Sequence, residues 1–183
     1  MTQKINPLTI QSKSWLVNAL LKLMQDKNFS SISIKEIAES AQLDRRTFYR
    51  HFNSKDELLI YYIDILSKEY FEDISSQKEL SISTVTYKYF KFWEKHIDFL
   101  NVIHKNNLQI YILNSYNQYL SKLYAMLKPE ISNSIQHDYK YGLAFKIGGF
   151  WNILFEWIKD DARIEPEEMA KTLSDFLGHG MFI

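Results

Sequence analysis

Six hydrogen-bonding side chains crowd one stretch of seven residues: Arg45, Arg46, Thr47, Tyr49, Arg50 and His51. The gap in the run is Phe48, and Phe52 lies four residues further on. Apolar residues at i and i+4 mark one side of a helix, which leaves the donors on the other sides. Guanidinium and hydroxyl donors at this density suit the phosphates and base edges of a duplex. Arginine opposite guanine O6 and N7 is the commonest specific contact, worth about 1–3 kcal/mol of discrimination. A single short helix also fits a major groove. The competing reading is solvated charge on an ordinary helical unit.

Those donors need a frame, and the neighbouring residues supply one. Ser33 stands three residues before Glu36, and Ser54 three before Glu57, the spacing of a capping box. Asp44 is a good cap for the donor-bearing helix. Ile34, Ile37, Ala38 and Ala41 form the buried face of the helix before it. Ahead of both, Leu16, Val17, Leu20, Leu21 and Met24 recur at helical spacing in a first helix over about 9–26, with Phe29 and Ile32 as anchors in the connector. A helix over 55–75 follows, with Leu58, Leu59, Tyr62, Ile65 and Leu66 expected on its inner side.

This arrangement resembles the DNA-binding module of the TetR family of transcriptional regulators. The residues that carry the resemblance are Ser33, Ile37-Ala38, Thr47-Phe48-Tyr49-Arg50-His51-Phe52 and Ser54-Lys55-Asp56-Glu57-Leu58, about a quarter of the chain without a gap. Two positions depart from the family pattern. Gln42-Leu43 replaces the usual Gly-Val of the turn, which asks Gln42 for a positive φ. Asp44 replaces the usual serine cap and is chemically equivalent to it. The resemblance implies DNA contacts from Ser33, Arg45, Arg46, Thr47, Tyr49, His51 and Lys55. Arg45 and Arg46 would reach base edges. Thr47 would meet a thymine methyl or a phosphate, and Ser33, Tyr49 and Lys55 would bind phosphate. His51 stays open between a phosphate contact and a packed role.

Composition agrees with this reading and narrows the alternatives. Charged residues are 24% and the formal net charge is zero, yet residues 1–55 carry nine Lys/Arg against four Asp/Glu. The remainder carries thirteen against eighteen. A basic front on an acidic back fits a head that reads DNA and a body that stays off it, although chance asymmetry gives the same split. Without cysteine there is no disulfide, cysteine nucleophile or thiolate metal site. All five glycines lie from Gly142 onward, so the first 141 residues hold no Gly-rich phosphate loop. Neither a signal peptide nor a membrane span is evident, and a cytoplasmic protein is expected. No cofactor and no metal are expected, since His96, His104, His137 and His179 lack ligand spacing.

The fold expected is all-α with about nine helices. Residues 1–54 form a three-helix helix-turn-helix head, and residues 55–183 a helical body for dimerisation and effector binding. Helices are expected over about 84–95, 97–103, 108–127 and 138–160, with irregular polar chain at 77–83 and 131–138. Pro166 opens a last helix and Gly178 stops it. The helix over 138–160 is apolar nearly all round, so it is buried on two sides. Gly148 and Gly149 within it lose about 1 kcal/mol each relative to alanine, which makes sense if another backbone comes close. These two last helices resemble those of a TetR subgroup that includes regulators of the dihydroxyacetone kinase type, where they pair with their copies in a four-helix bundle. Gly148, Gly149, Asn152, Phe155, Met169, Leu173 and Phe176 are the expected dimer contacts, or else intramolecular core. The aromatic set Tyr87, Phe90, Trp93, His96, Tyr111, Tyr116 and Trp151 lines a ligand cavity or simply forms core.

The functional expectation is a homodimeric regulator of a near-palindromic operator on double-stranded DNA, a repressor released by a small-molecule effector. A coactivator controlled by a protein partner and a non-enzymatic helical adaptor are the alternatives. An enzyme is not expected: His96 with Asp98, or Glu156 near His137, are the only acid–base sets, and nothing organises a nucleophile, oxyanion site or metal.

Overall fold

Four helix starts in this chain are written by single side chains three residues upstream of the amide they satisfy. Ser33 Oγ accepts from Glu36 N at 3.2 Å, Asp44 Oδ1 from Thr47 N at 2.6 Å, Ser54 Oγ from Glu57 N at 3.1 Å and Ser81 Oγ from Thr84 N at 3.1 Å. The computed structural model describes residues 7–76, 81–127 and 133–178. Among them run α1 (Pro7–Asp26), a 3-10 turn (Phe29–Ser31), α2 (Ile34–Ser40), α3 (Arg45–His51) and α4 (Lys55–Ser75). After these come α5 (Ile82–Glu94), α6 (Ile97–Lys105), α7 (Gln109–Leu127), α8 (Asn133–Lys159) and α9 (Pro166–Gly178). The described residues contain no strand. The all-α, nine-helix expectation holds.

The Ser33–Glu36 capping box is complete, but its counterpart at Ser54 is only half formed. Glu57 reaches one residue further back, to the backbone and side-chain amides of Asn53 at 2.7 and 2.9 Å. Three helix ends close on non-glycine residues with positive φ: Gln42 (55°), Asn107 (56°) and Asp161 (55°). At each, two amides fold back on the last turn, as when Leu43 N donates to Ala38 O and Gln42 N to Glu39 O. Pairing those otherwise free carbonyls offsets the strain of the left-handed residue.

Two boundaries differ from expectation. Helix α8 begins at Asn133, so the chain expected to be irregular up to Asp138 is helical from 133 onward, while 131 and 132 lie outside the described residues. No glycine or proline interrupts 133–138, and a polar stretch continues a helix when nothing breaks it. The loop expected at 77–83 ends earlier, because Ser81 already caps α5; residues 77–80 lie outside the described residues.

One continuous set of buried side chains runs from Leu16 in α1 to Leu173 in α9. In α4 the inner face is Leu58, Leu59, Ile63, Leu66, Tyr70, Phe71 and Ile74, while Ile65, expected inside, is exposed. Helices α4 and α7 also share a buried polar pair: the Ser67 and Ser115 hydroxyls are 3.0 Å apart, and Ser115 donates to Asp64 at 2.8 Å, so neither is left unsatisfied. Helix α5 meets α8 where Phe90 packs edge-on against Trp157 at 5.2 Å, whose indole N–H donates at 2.7 Å to Ile164 O in the link to α9. No helix among the described residues is long and apolar enough to cross a membrane.

Candidate nucleic-acid interface

Helix α3 is held by one face. Phe48 is fully buried and Phe52 nearly so, and their rings meet at 6.0 Å. The Asp44 carboxylate at the head of the helix is held below its usual range, first by the hydrogen bond from the Thr47 amide. With that face pinned, Arg45, Arg46, Tyr49 and Arg50 stand in solvent, and Tyr49 keeps 49% of its surface exposed. Thr47 is half-buried and accepts from Arg50 Nη2 at 3.5 Å. A second cation flanks the group: Lys13 Nζ of α1 lies 4.6 Å from the Tyr61 ring centre and 5.3 Å from that of Phe52. Lys13 escaped the sequence reading because its partner rings lie some forty residues away.

Three expected DNA contacts are otherwise engaged. The Lys55 ammonium donates to Phe29 O at 2.5 Å, Ser30 O at 2.9 Å and Ile32 O at 2.8 Å, which uses all three of its protons. It clamps the 3-10 turn to the start of α4. The Ser33 hydroxyl donates to Glu36 Oε2 at 2.8 Å, so its only proton serves the cap. His51 is half-buried with Nε2 sealed from solvent and unpartnered. Burial, aided by Arg50 and Lys13, lowers its pKa and keeps the ring neutral. His51 packs edge-on against Phe52 at 6.4 Å.

The frame beneath the donors is tied to the body at one point that the sequence did not reveal. Asn106, the residue closing α6, accepts from Phe29 N at 2.6 Å and donates to Val102 O at 2.8 Å. Beside it Lys105 Nζ donates to Gln25 O at 2.5 Å, capping the carbonyl end of α1. Tyr111 of α7 donates to Asp56 at 2.5 Å, next to the Lys55 clamp.

A capped, one-sided helix presenting arginines and a phenol, set on two supporting helices, has the geometry for groove reading. The family model for bacterial regulatory proteins of the tetR family matches residues 16–62, the stretch that holds this frame. A model for a transcriptional regulator C-terminal region matches residues 80–179, more than half of the chain. The chain belongs to the TetR family. It is accordingly a DNA-binding transcriptional regulator, and proteins of this family are in general not enzymes. Solved structures share the fold. Lin0861 from Listeria innocua superposes with a TM-score of 0.79 at 19% identity, covering 98% of this chain and 96% of that one. The fatty acid degradation regulator FadR from Bacillus halodurans gives 0.65 at 16%, covering 98% and 99%. The dihydroxyacetone kinase operon activator DhaS gives 0.61 at 18%, covering 92% and 94%. No curated protein sequence matches the chain.

In the body of this TetR protein the expected aromatic site separates. Tyr116 and Trp151 do line a cavity, with Tyr70, Val85, Tyr89, Lys146, Ile147 and Phe150. Phe90 and Trp93 are sealed core, and Trp93 donates its indole proton to Tyr116 at 3.0 Å. Tyr111 is engaged with Asp56, and Tyr87 is half-buried away from the cavity. His96 lines a different groove between α1, α4 and α6, together with Leu21, Tyr62 and Phe99. The expected dimer contacts also divide. Phe155, Met169 and Leu173 are buried within their own chain, because the inner faces of α8 and α9 need them. Asn152 and Phe176 are exposed, and Gly148 and Gly149 half-buried. No atom of the described chain comes within 4 Å of a Cβ placed at either glycine, so no backbone of the same chain approaches there. Instead Tyr141 and Phe145, neither of them among the expected dimer contacts, stand exposed on the glycine face. His104 stacks on Phe155 at 5.8 Å, while the His137 side chain and His179 lie outside the described residues. The described residues hold no metal-binding cluster of acidic and histidine side chains.

Proposed function

We propose that this TetR-family chain acts as a homodimer, with a head formed by residues 1–54 and a body by 55–183. It represses transcription from a near-palindromic operator and is released by a small molecule bound in the body. The observation that carries the dimer is a stripe on α8. Tyr141, Phe145, Gly148, Gly149 and Asn152 recur at i, i+4, i+7, i+8 and i+11, the period of one helix face. The two aromatics on it are about three-fifths exposed, and Phe176 and Leu177 of α9 are exposed as well. Exposed apolar side chains gathered on two helices are a liability in a monomer and an interface in a dimer. The open space over both glycines is room for a second α8.

At the DNA, Arg45 and Arg46 read base edges and Tyr49 contacts phosphate, with Thr47 against a thymine methyl or phosphate. Lys13 and Arg50 add charge at the flanks. Two such helices in successive major grooves stand about 34–36 Å apart. A ligand that favours another spacing lowers operator affinity by its preference for that state. The Asn106 and Lys105 bonds give α6 a grip on the head through which such a preference is felt.

Fluorescence anisotropy on fragments selected from genomic DNA tests the reading. Binding should weaken steeply with salt, reflecting several phosphate contacts. The combined substitution R45A/R46A/Y49A should reduce affinity more than about a thousandfold while helicity and dimerisation persist. Unchanged protection of the same fragments by that variant would falsify the contact assignment. Sedimentation of the parent chain as a monomer would sink the dimer.

A further inference from the structure

The cavity between α4, α5, α7 and α8 measures about 140 Å³. That is close to the size of an apolar core cavity, about 150 Å³, that stays dry and admits benzene. Its described walls are the rings of Tyr70, Tyr89, Tyr116, Phe150 and Trp151 with the aliphatic carbons of Val85 and Ile147. The Tyr116 oxygen is taken up by the Trp93 indole proton. Burial raises the pKa of the Tyr70, Tyr89 and Tyr116 phenols, so no wall residue bears negative charge. Such walls solvate carbon and little else.

The exception is Lys146. It is the single charged side chain among the described lining residues, it stands exposed on α8, and no ion pair or hydrogen bond joins it to a described residue. An aromatic box by itself would suit a cation. A lysine at its edge repels one and leaves an anion unopposed. We propose that the cavity binds a small monocarboxylate carrying one aromatic ring or a short branched chain, its carbon body among Tyr89, Tyr116, Phe150 and Trp151 and its carboxylate on Lys146. This inference rests on the reading of the chain as an effector-controlled regulator.

Isothermal titration of the full chain with phenylacetate, toluene and 2-phenylethylamine tests it. Phenylacetate should bind most tightly, toluene more weakly and the amine not at all. Lys146→Gln, at an exposed position that leaves the fold intact, should weaken phenylacetate about tenfold and leave toluene unchanged. Val85→Phe should fill the cavity and abolish both. Equal binding of the amine and the acid, or indifference of phenylacetate to Lys146→Gln, overturns the proposal, as does the absence of any heat with the parent chain. Operator affinity is measured in parallel. Phenylacetate that binds in this pattern without shifting operator affinity refutes effector control and leaves the ligand assignment standing.

Discussion

Helices α1–α3 and helices α8–α9 use their side chains in opposite ways. Around α3 the polar groups divide: Ser33, Asp44 and Lys55 satisfy the chain's own backbone, while Arg45, Arg46 and Tyr49 keep their donors free. Around α8 it is the apolar groups that divide, with Trp157, Leu154 and Phe155 turned in and Tyr141 and Phe145 turned out. In each region one set of side chains stays exposed. Exposed donors match a polyanion, and exposed rings match another apolar surface. The contrast therefore separates residues that hold the protein together from residues that face outward, even where both are of the same type.

The sharpest way to break this contrast sets Phe48 against Phe145. Phe48→Ala removes a fully buried ring and should destabilise the chain by about 3–5 kcal/mol. Phe145→Ser removes an exposed one and should leave a diluted monomer's thermal transition within about 0.5 kcal/mol while weakening self-association. Comparable thermal losses in calorimetry would erase the distinction between inward and outward rings.

Lysine 55 offers the next test. Lys55→Met should lower stability by about 1–3 kcal/mol, because three carbonyls lose their donor. The slope of log affinity against log salt should stay as it was. A slope shallower by about one per site would mean that Lys55 contacts phosphate after all.

A smaller effect is expected at the turn before α3. Gln42→Gly should stabilise the chain by about 0.5–1 kcal/mol, since glycine holds a φ of 55° without strain. A lower melting temperature for that variant would show that the Gln42 side chain does more than occupy the turn.

The smallest effect concerns acid. Hydrogen bonds from Lys27, then from the Ser33 amide and hydroxyl, lower the Glu36 pKa from 4.5 to about 2. The stabilisation is therefore complete above pH 4.5 and is lost as pH falls toward 2. The carboxyl chemical shift, followed through that window, should titrate at the low end. A midpoint near 4.5 would mean that the cap is open in solution.

How legible these features were in the sequence depends on how far apart the interacting residues lie. Caps at Ser33 and Asp44 and the strained turn at Gln42 were readable, because their partners sit within five residues. Glu57 was misread since Asn53, one place beyond the expected partner, competes for the same carboxylate. The charge of Lys55 was plain but its acceptors, more than twenty residues upstream, were not. Helix α8 is apolar nearly all round, so periodicity could not tell its inward rings from its outward ones. That is why Phe155 was expected at an interface and is found in the core, whereas Met169 and Leu173 lie on the apolar stripe of α9, where it packs inward. The Asn106 and Tyr111 contacts, spanning 77 and 55 residues, left no trace in the sequence at all.

A single carboxamide at residue 106 joins the end of α6 to the turn that follows α1. Its two ends are bonded to different segments, so α6 cannot slide along the head without parting one bond or carrying the turn with it. One uncharged side chain, beside the Lys105 ammonium on Gln25 O, thus ties any displacement of α6 to the base of the head. Asn106→Leu would cut that tie and leave Arg45, Arg46 and Tyr49 where they stand.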